Sequence, residues 1–336
     1  MPVDTEGLAQ KYRAATVDVE GRKLLITNFR GTEQERDLTE SPNCGGFGRI
    51  RHFDRTTSQG WPSNPLPIDP ACSRLGLGPQ DEIRAQVFQN AACNWRCWYC
   101  FVPFDSLSAN PARSAWLTPE ELVRLFISEP NYPRVMDLSG GQPELVPEWV
   151  YWMMQEIDRI GLNGKVYLWS DDNLSCDYFW RYLSEEQREF VASYPFYGRV
   201  VCFKGFDEDS FQFNTRADKS CFARQFELMS RLVGSGMDLY AYVTFTTATC
   251  HNIKDAVKRF VDQLQAIDEN LPLRTVPLEI NEFTPVSSRL NNIRREALVL
   301  QWRAVEAWQQ ELDDRFRTSL KSLPITEIQI GKSALV

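Results

Sequence analysis

The chain has 336 residues, 43% of them hydrophobic and 24% charged, enough apolar material for a full-sized core with no bias towards disorder or a fibrous repeat. A formal net charge of -8 argues against a grip on phosphate backbones, which needs clustered Lys and Arg on one face, so no nucleic-acid partner is expected. No long apolar run and no basic start followed by an apolar stretch is present, so neither a membrane span nor a secretory signal is expected and the cytosol is the default address.

In chain order, residues 1–83 open on a hairpin signal at Glu20-Gly21-Arg22 and run into SNPLPIDPACSRLGLGP, a Pro- and Gly-rich stretch that reads as an extended covering segment. Arg49 and Arg51, in GRIRHFDR, are the nearest approach to a basic patch and read as a solvated loop, and His52 reaches the barrel mouth only if this segment folds over it. From residue 84 onward six β-rich runs, AQVFQ, RVMDLS, KVYLWS, RVVCFK, LYAYVTF and TVPLEI, alternate with helical patterns, the rhythm of a parallel sheet with crossover helices. Thr118-Pro119-Glu120-Glu121 is a capping box with proline in the first turn, PEWVYWMMQEIDRI stops at Gly161, and Asn252 with Asp255 opens another helix. Arg294 to Arg317 reads as a long terminal helix.

The fold class expected is therefore α/β, a partial (β/α)6 TIM-type barrel with an N-terminal covering extension and a C-terminal helix, divided as 1–83, 84–290 and 291–336. In such sheets ligands meet the loops at the carboxyl ends of the strands.

Directly after the first core strand comes Cys93-Asn-Trp-Arg-Cys97-Trp-Tyr-Cys100. Thiolates so closely spaced select zinc or an iron-sulfur cluster. Structural zinc usually closes its tetrahedron with a second ligand pair; no second C-x2-C exists here, and His52 and His251 are the only histidines. Three ligands to a four-iron cube leave one iron open. The other cysteines, Cys44, Cys72, Cys176, Cys202, Cys221 and Cys250, are isolated from one another, and thiols serving a metal fit this distribution better than disulfides.

The three-cysteine run is similar to the signature of the radical S-adenosylmethionine superfamily, in which an aromatic residue, here Tyr99, commonly precedes the third cysteine. The resemblance implies a 4Fe-4S cluster on Cys93, Cys97 and Cys100 whose open iron chelates S-adenosylmethionine, giving a 5'-deoxyadenosyl radical, with Tyr99 near the adenine. Leu138-Ser139-Gly140-Gly141-Gln142-Pro143-Glu144 is similar to the family's Gly-Gly-Glu-Pro motif for the methionyl amino group, with Gln142 in place of the usual Glu. An amide oxygen accepts a hydrogen bond but offers no charge, and Glu144 is the neighbour placed to compensate. Ser170-Asp171-Asp172-Asn173 stands where the family binds the ribose hydroxyls, which implies Ser170 and Asp172. Cys202-Phe-Lys204-Gly-Phe-Asp207 resembles the Asp-x-Lys segment of glycyl-radical-enzyme activases, with Cys202 where the acid stands, and makes Lys204 a candidate for the methionyl carboxylate.

His251 and Glu282 follow the fifth and sixth core strands and are candidates for proton handling or substrate binding at the mouth. The tryptophans and tyrosines at 149–152, 180–182 and 302–308 sit at helical spacing and read as packing. The expected activity is hydrogen abstraction from a small-molecule substrate, with natural-product and nucleoside intermediates as the candidate types, flavodoxin or ferredoxin as reductant and no membrane partner. Lyase, mutase, epimerase and oxidoreductase outcomes stay open. The alternatives are an activase that installs a glycyl radical in a partner protein and a zinc-binding interaction module.

Overall fold

The computed structural model describes residues 2–331. After an N-terminal helix, Thr5–Thr16, strands β1 (Val17–Asp18) and β2 (Lys23–Thr27) form the expected hairpin, with Val17 opposite Leu24. Its turn closes because Gly21 N donates to Asp18 Oδ1 at 3.0 Å while Arg22 takes a φ of 48°. The remaining strands are β3 (Gly48–Asp54), β4 (Glu82–Phe88), β5 (Ser114–Leu117), β6 (Val135–Leu138), β7 (Tyr167–Asp172), β8 (Tyr197–Phe203), β9 (Leu239–Thr244) and β10 (Thr275–Leu278).

The main sheet has seven strands in the order β10-β9-β8-β7-β6-β4-β3, and β5 joins β1 and β2 in a small separate sheet. All six expected core runs are strands, and β4, β6, β7, β8, β9 and β10 pair in parallel with their neighbours. Parallel strands laid down in sequence order need a crossover each, and crossovers of one hand stack their helices on one side of the sheet. The sheet therefore has an outer, helix-covered face and an inner one. Met136, Leu168, Val201 and Ala241 belong to the large apolar cluster shared with the helices, whereas Val135, Trp169, Val200, Cys202, Tyr240 and Tyr242 belong to a second cluster on the other face. With both faces buried, the strands read as apolar runs instead of alternating ones.

Several local signals act as the sequence indicates. Thr118 Oγ1 accepts from Glu121 N at 3.1 Å while Glu121 accepts from Thr118 N, capping Pro119–Ser128. Helix Glu148–Arg159 ends at Gly161, whose φ of 71° no branched side chain would tolerate. Asn252 precedes Ile253–Ile267 but has a φ of 56° and makes no side-chain cap. The terminal helix spans Asn292–Arg315. Among the described residues no helix is long and apolar enough to cross a membrane.

The N-terminal segment departs from its expected form. GRIRHFD is a strand, β3, which pairs antiparallel with β4 from Gly48↔Phe88 to Asp54↔Glu82 and extends the main sheet. The Pro- and Gly-rich stretch contains a helix, Ile68–Leu75, whose Ile68, Ala71 and Cys72 pack into the inner-face cluster beside Tyr167 and Tyr240. It plugs the lumen: Tyr242 donates its hydroxyl to Asn64 Oδ1 and Leu66 O at 3.1 and 3.2 Å, and Trp61 Nε1 donates to Pro277 O.

Candidate active site

The chain leaves β4 into the three-cysteine loop, which is held from several sides. Cys93 N donates to Leu107 O at 3.1 Å, Trp98 N to Asn214 O at 3.1 Å and Cys100 N to Cys97 O at 3.1 Å. Trp95 and Trp98 are buried anchors. Arg289 donates to Cys100 O at 2.6 Å and Val102 O at 3.0 Å, and Arg96 caps the carbonyl of Cys93 and reaches Tyr12 Oη at 2.6 Å. All three thiols are free and partly exposed, and Asn173 Nδ2 approaches Cys93 Sγ at 3.7 Å. Burial pushes the Cys97 thiol up to about 12 and that of Cys93 upward as well, a shift that a coordinated metal would oppose because it favours the thiolate. Among the described residues no three His, Cys, Asp or Glu side chains converge tightly enough to hold a single metal ion.

The Gly-Gly-Gln-Pro loop is tied directly to this one. Gln142 N donates to Ala92 O at 2.7 Å, and Asn90 Nδ2 donates to Gln142 O at 3.0 Å. Gly140 and Gly141 both have positive φ, 82° and 66°, which lets the backbone lie against the Asn90–Ala92 chain. The Gln142 side chain is fully engaged: Nε2 donates to Asp172 Oδ1 at 2.9 Å and Oε1 accepts from Asn173 N at 3.0 Å. Glu144 does not face the cavity. Its carboxylate lies 2.9 Å from Arg199, whose 1% exposure makes this a fully buried pair, so the expected compensation at Glu144 gives way to an internal ion pair.

At the next strand ends, Gln225 binds Asn173 O at 2.9 Å and Cys202 O at 3.0 Å and accepts from Lys204 N at 3.2 Å. Burial opposes the charge on Lys204, but Cys202, Tyr99, Cys97 and Asp171 around it hold its pKa well above the ordinary lysine value. Tyr99 Oη lies 3.1 Å from Thr244 Oγ1.

These elements enclose one cavity of about 490 Å³, within the range of small-molecule sites. Tyr99, Cys100, Ser139, Gly140, Gly141, Gln142, Asp172 and Lys204 line it. The other sequence candidates lie elsewhere. Pro143 is buried at the start of a single turn, Pro143–Leu145, and Ser170 spends its hydroxyl on Tyr197 Oη at 2.7 Å. His251 is exposed in the loop after β9, its amide donating to Thr249 Oγ1. Glu282 is exposed and turns to Ser287 Oγ at 3.0 Å and Arg295 at 3.6 Å, while Glu279 of the same segment lines the cavity.

Four charged residues lie on an inner face where sequence reading did not place them. Arg49 and Arg51 lie on β3 and line the cavity, so the solvated-loop reading of GRIRHFDR is corrected by its pairing with β4. His52 also lines the cavity, half-buried between Glu82 and Glu40. Asp137 and Asp171 sit on β6 and β7, with Asp171 Oδ2 accepting from Ser139 Oγ at 2.7 Å. The available signal was a charge inside an otherwise apolar strand, as in RVMDLS and YLWSDD.

Asp137 is wholly buried and neither of its oxygens has a hydrogen-bond partner. Burial, reinforced by Asp171, pushes its carboxyl up to about 8. The native state therefore keeps a proton that the unfolded chain releases near pH 4, so this group's stabilisation is full below about pH 4 and lost as pH rises through about 8. Asp137→Asn removes that loss: its melting temperature relative to wild type should climb by several degrees between pH 5 and pH 9. A difference independent of pH in paired thermal melts would show that the carboxyl titrates normally.

No family model and no curated protein matches the chain. Three solved structures of Streptococcus suis SuiB are similar to it. The one bound to S-adenosylmethionine aligns with a TM-score of 0.46 and 14% identity over 67% of this chain and 46% of SuiB. The structures described as bound to precursor peptide SuiA and as SuiB itself give TM-scores of 0.37 at 14% and 12% identity, over 54% of this chain and 36% of SuiB. The chain thus spans less than half the length of these proteins. Identities and scores this low assign neither family nor activity.

Proposed function

We propose that the protein is a radical S-adenosylmethionine enzyme acting on a small molecule. The observation that carries this reading is the direct tie between the two motif loops, Gln142 N to Ala92 O and Asn90 Nδ2 to Gln142 O. It brings Cys100, the glycine pair, Asp172 and Lys204 around one cavity. The donor set fits the implied cluster: three adjacent soft thiols, an amide N–H directed at one sulfur, and no other cysteine in the loop.

Cys93, Cys97 and Cys100 would hold the cluster. Bound there, a four-iron cluster with one open iron supplies the electron that cleaves the sulfonium of S-adenosylmethionine to a 5'-deoxyadenosyl radical. The chain's own contribution is placement. Gly140 and Gly141 admit the methionyl group against backbone, Asp172 offers an acceptor to the ribose, and Lys204 sets a cation opposite the methionyl carboxylate. Gln142 acts by bracing Asp172 and the Asn173 amide, since both ends of its amide are already bonded. Tyr99 and Ile280 close the cavity with apolar surface, which keeps water from a reactive carbon.

Anaerobic reconstitution followed by dithionite and S-adenosylmethionine should release 5'-deoxyadenosine, measured by liquid chromatography. A protein with a full cluster that forms none is not this enzyme. Turnover of a free small molecule with no large partner present separates the reading from glycyl-radical activation, and stoichiometric iron and sulfide separate it from a zinc module.

A further inference from the structure

Two guanidinium groups face the lumen beside Asp171, which opposes the loss of charge that burial imposes on Arg49 but, among the described residues, forms no ion pair with either arginine. Arg49 and Arg51 are two residues apart on β3, so they share a face of the sheet. Arg49 is only 6% exposed, yet its Nε has no hydrogen-bond partner and, among the described residues, it enters no ion pair. Its guanidinium carbon lies 4.9 Å from the centre of the Phe101 ring and 5.8 Å from that of Phe29. Arg51 stacks on Phe53 at 4.0 Å, and its one ion-pair contact is Asp137 at 3.8 Å. That carboxyl is pushed up to about 8, so at neutral pH it carries little charge to offer. Aromatic faces orient a guanidinium but do not replace a counter-ion, and an arginine taken out of water without one is destabilising.

The position is as telling as the missing partner. Both arginines line the same cavity as the motif loops. Lys204, on the loop after β8, is separated from β3 by β7, β6 and β4 in the sheet order, so the cavity carries cations at two separated ends. We propose that Arg49 and Arg51 form an oxyanion subsite for the substrate, which therefore carries a carboxylate or a phosphate group. This rests on the enzymatic reading above, in which the cavity holds substrate beside cofactor. Two adjacent forks suit either anion, since planar guanidinium groups bind carboxylate and phosphate oxygens in pairs.

The test uses the reconstituted wild-type protein and phenylglyoxal, which modifies arginine selectively, with labelled peptides quantified by mass spectrometry. Arms contain inorganic phosphate, acetate, chloride at matched ionic strength, or S-adenosylmethionine; exposed Arg303 is the internal reference. Phosphate or acetate at ten times its Kd should slow labelling of Arg49 and Arg51 about tenfold relative to Arg303, with chloride inactive. The stronger of the two arms identifies the anion. In a parallel thermal melt the same anion should raise the melting temperature of wild type and not that of Arg51→Met, a change at a half-exposed side chain. Equal labelling in all arms with no anion-specific melting shift overturns the subsite. Protection by S-adenosylmethionine alone assigns the pair to the cofactor's carboxylate and also overturns it. Formation of 5'-deoxyadenosine by unlabelled wild type decides the radical reading separately: protection without that product overturns only the enzyme, and product without protection overturns only the subsite.

Discussion

Cys97→Ala should lose the iron-sulfur chromophore near 400 nm and all 5'-deoxyadenosine formation, whereas Cys176→Ala should retain both. Cys97 is the middle thiol of the loop, and, among the described residues, the one cysteine outside the run that lines the cavity, Cys202, is fixed on strand β8 and not in the loop. With two thiolates the cube has lost a third of its protein ligands, and soft donors cannot be substituted by the amide of Asn173. Cys176 is as buried as any core residue, with its thiol directed at Glu144 O at 3.6 Å. Removing it trims packing and costs about 1–2 kcal/mol without touching the loop. Iron and sulfide analysis of both variants after identical reconstitution is the measurement. Full iron in Cys97→Ala would mean the ligands are other residues.

Gly141→Ala should weaken S-adenosylmethionine binding more than Gly140→Ala, although the two are neighbours in one motif. At Gly141 a Cβ would stand 2.6 Å from Ala92 O and closer still to Asn90 O, both backbone atoms. Ala92 O is the acceptor for Gln142 N, so relieving the clash opens the tie between the glycine loop and the cysteine loop. Backbone strain at a φ of 66° adds to this. Together these should cost about 3–5 kcal/mol and strip S-adenosylmethionine binding with them. At Gly140 the nearest atoms, from 2.5 Å, belong to the Gln89 side chain, which is buried and bonded to Thr27 and Gln34, so relief there breaks side-chain bonds but displaces no backbone. There the left-handed penalty of about 1–2 kcal/mol is joined by about 1–3 kcal/mol for the displaced Gln89 bonds, but the tie between the loops is spared. Denaturant titrations give the two stabilities, and equilibrium dialysis of S-adenosylmethionine gives the two affinities. Equal losses of affinity would remove the special role of the inter-loop bond.

Much of the architecture was legible because its signals are short-range. The capping box at Thr118 and the turn at Gly21 each act within a few residues, and they stand where read. The six apolar runs were legible for a related reason: a parallel strand buried on both faces needs an unbroken apolar stretch, whatever it packs against. Charges inside those runs were harder to read, because period two says that Asp137 and Asp171 share a side with Val135 and Trp169 but not which side closes into the lumen.

What the sequence by itself determined, then, is the order of strands and helices and the gathering of three thiols in one loop, both consequences of residue type and local spacing. Only the tertiary structure decided who faces whom. Arg49 and Arg51 became cavity residues when β3 paired antiparallel with β4 across an intervening helix. Gln142 became a brace when Asp172 and Asn173 arrived from the next strand. Glu144 turned to Arg199, and His251 and Glu282 turned to solvent. Each outcome depends on the register between segments far apart in the chain, set by how the whole sheet buries its two faces, and nothing within reach of the residue itself encodes it.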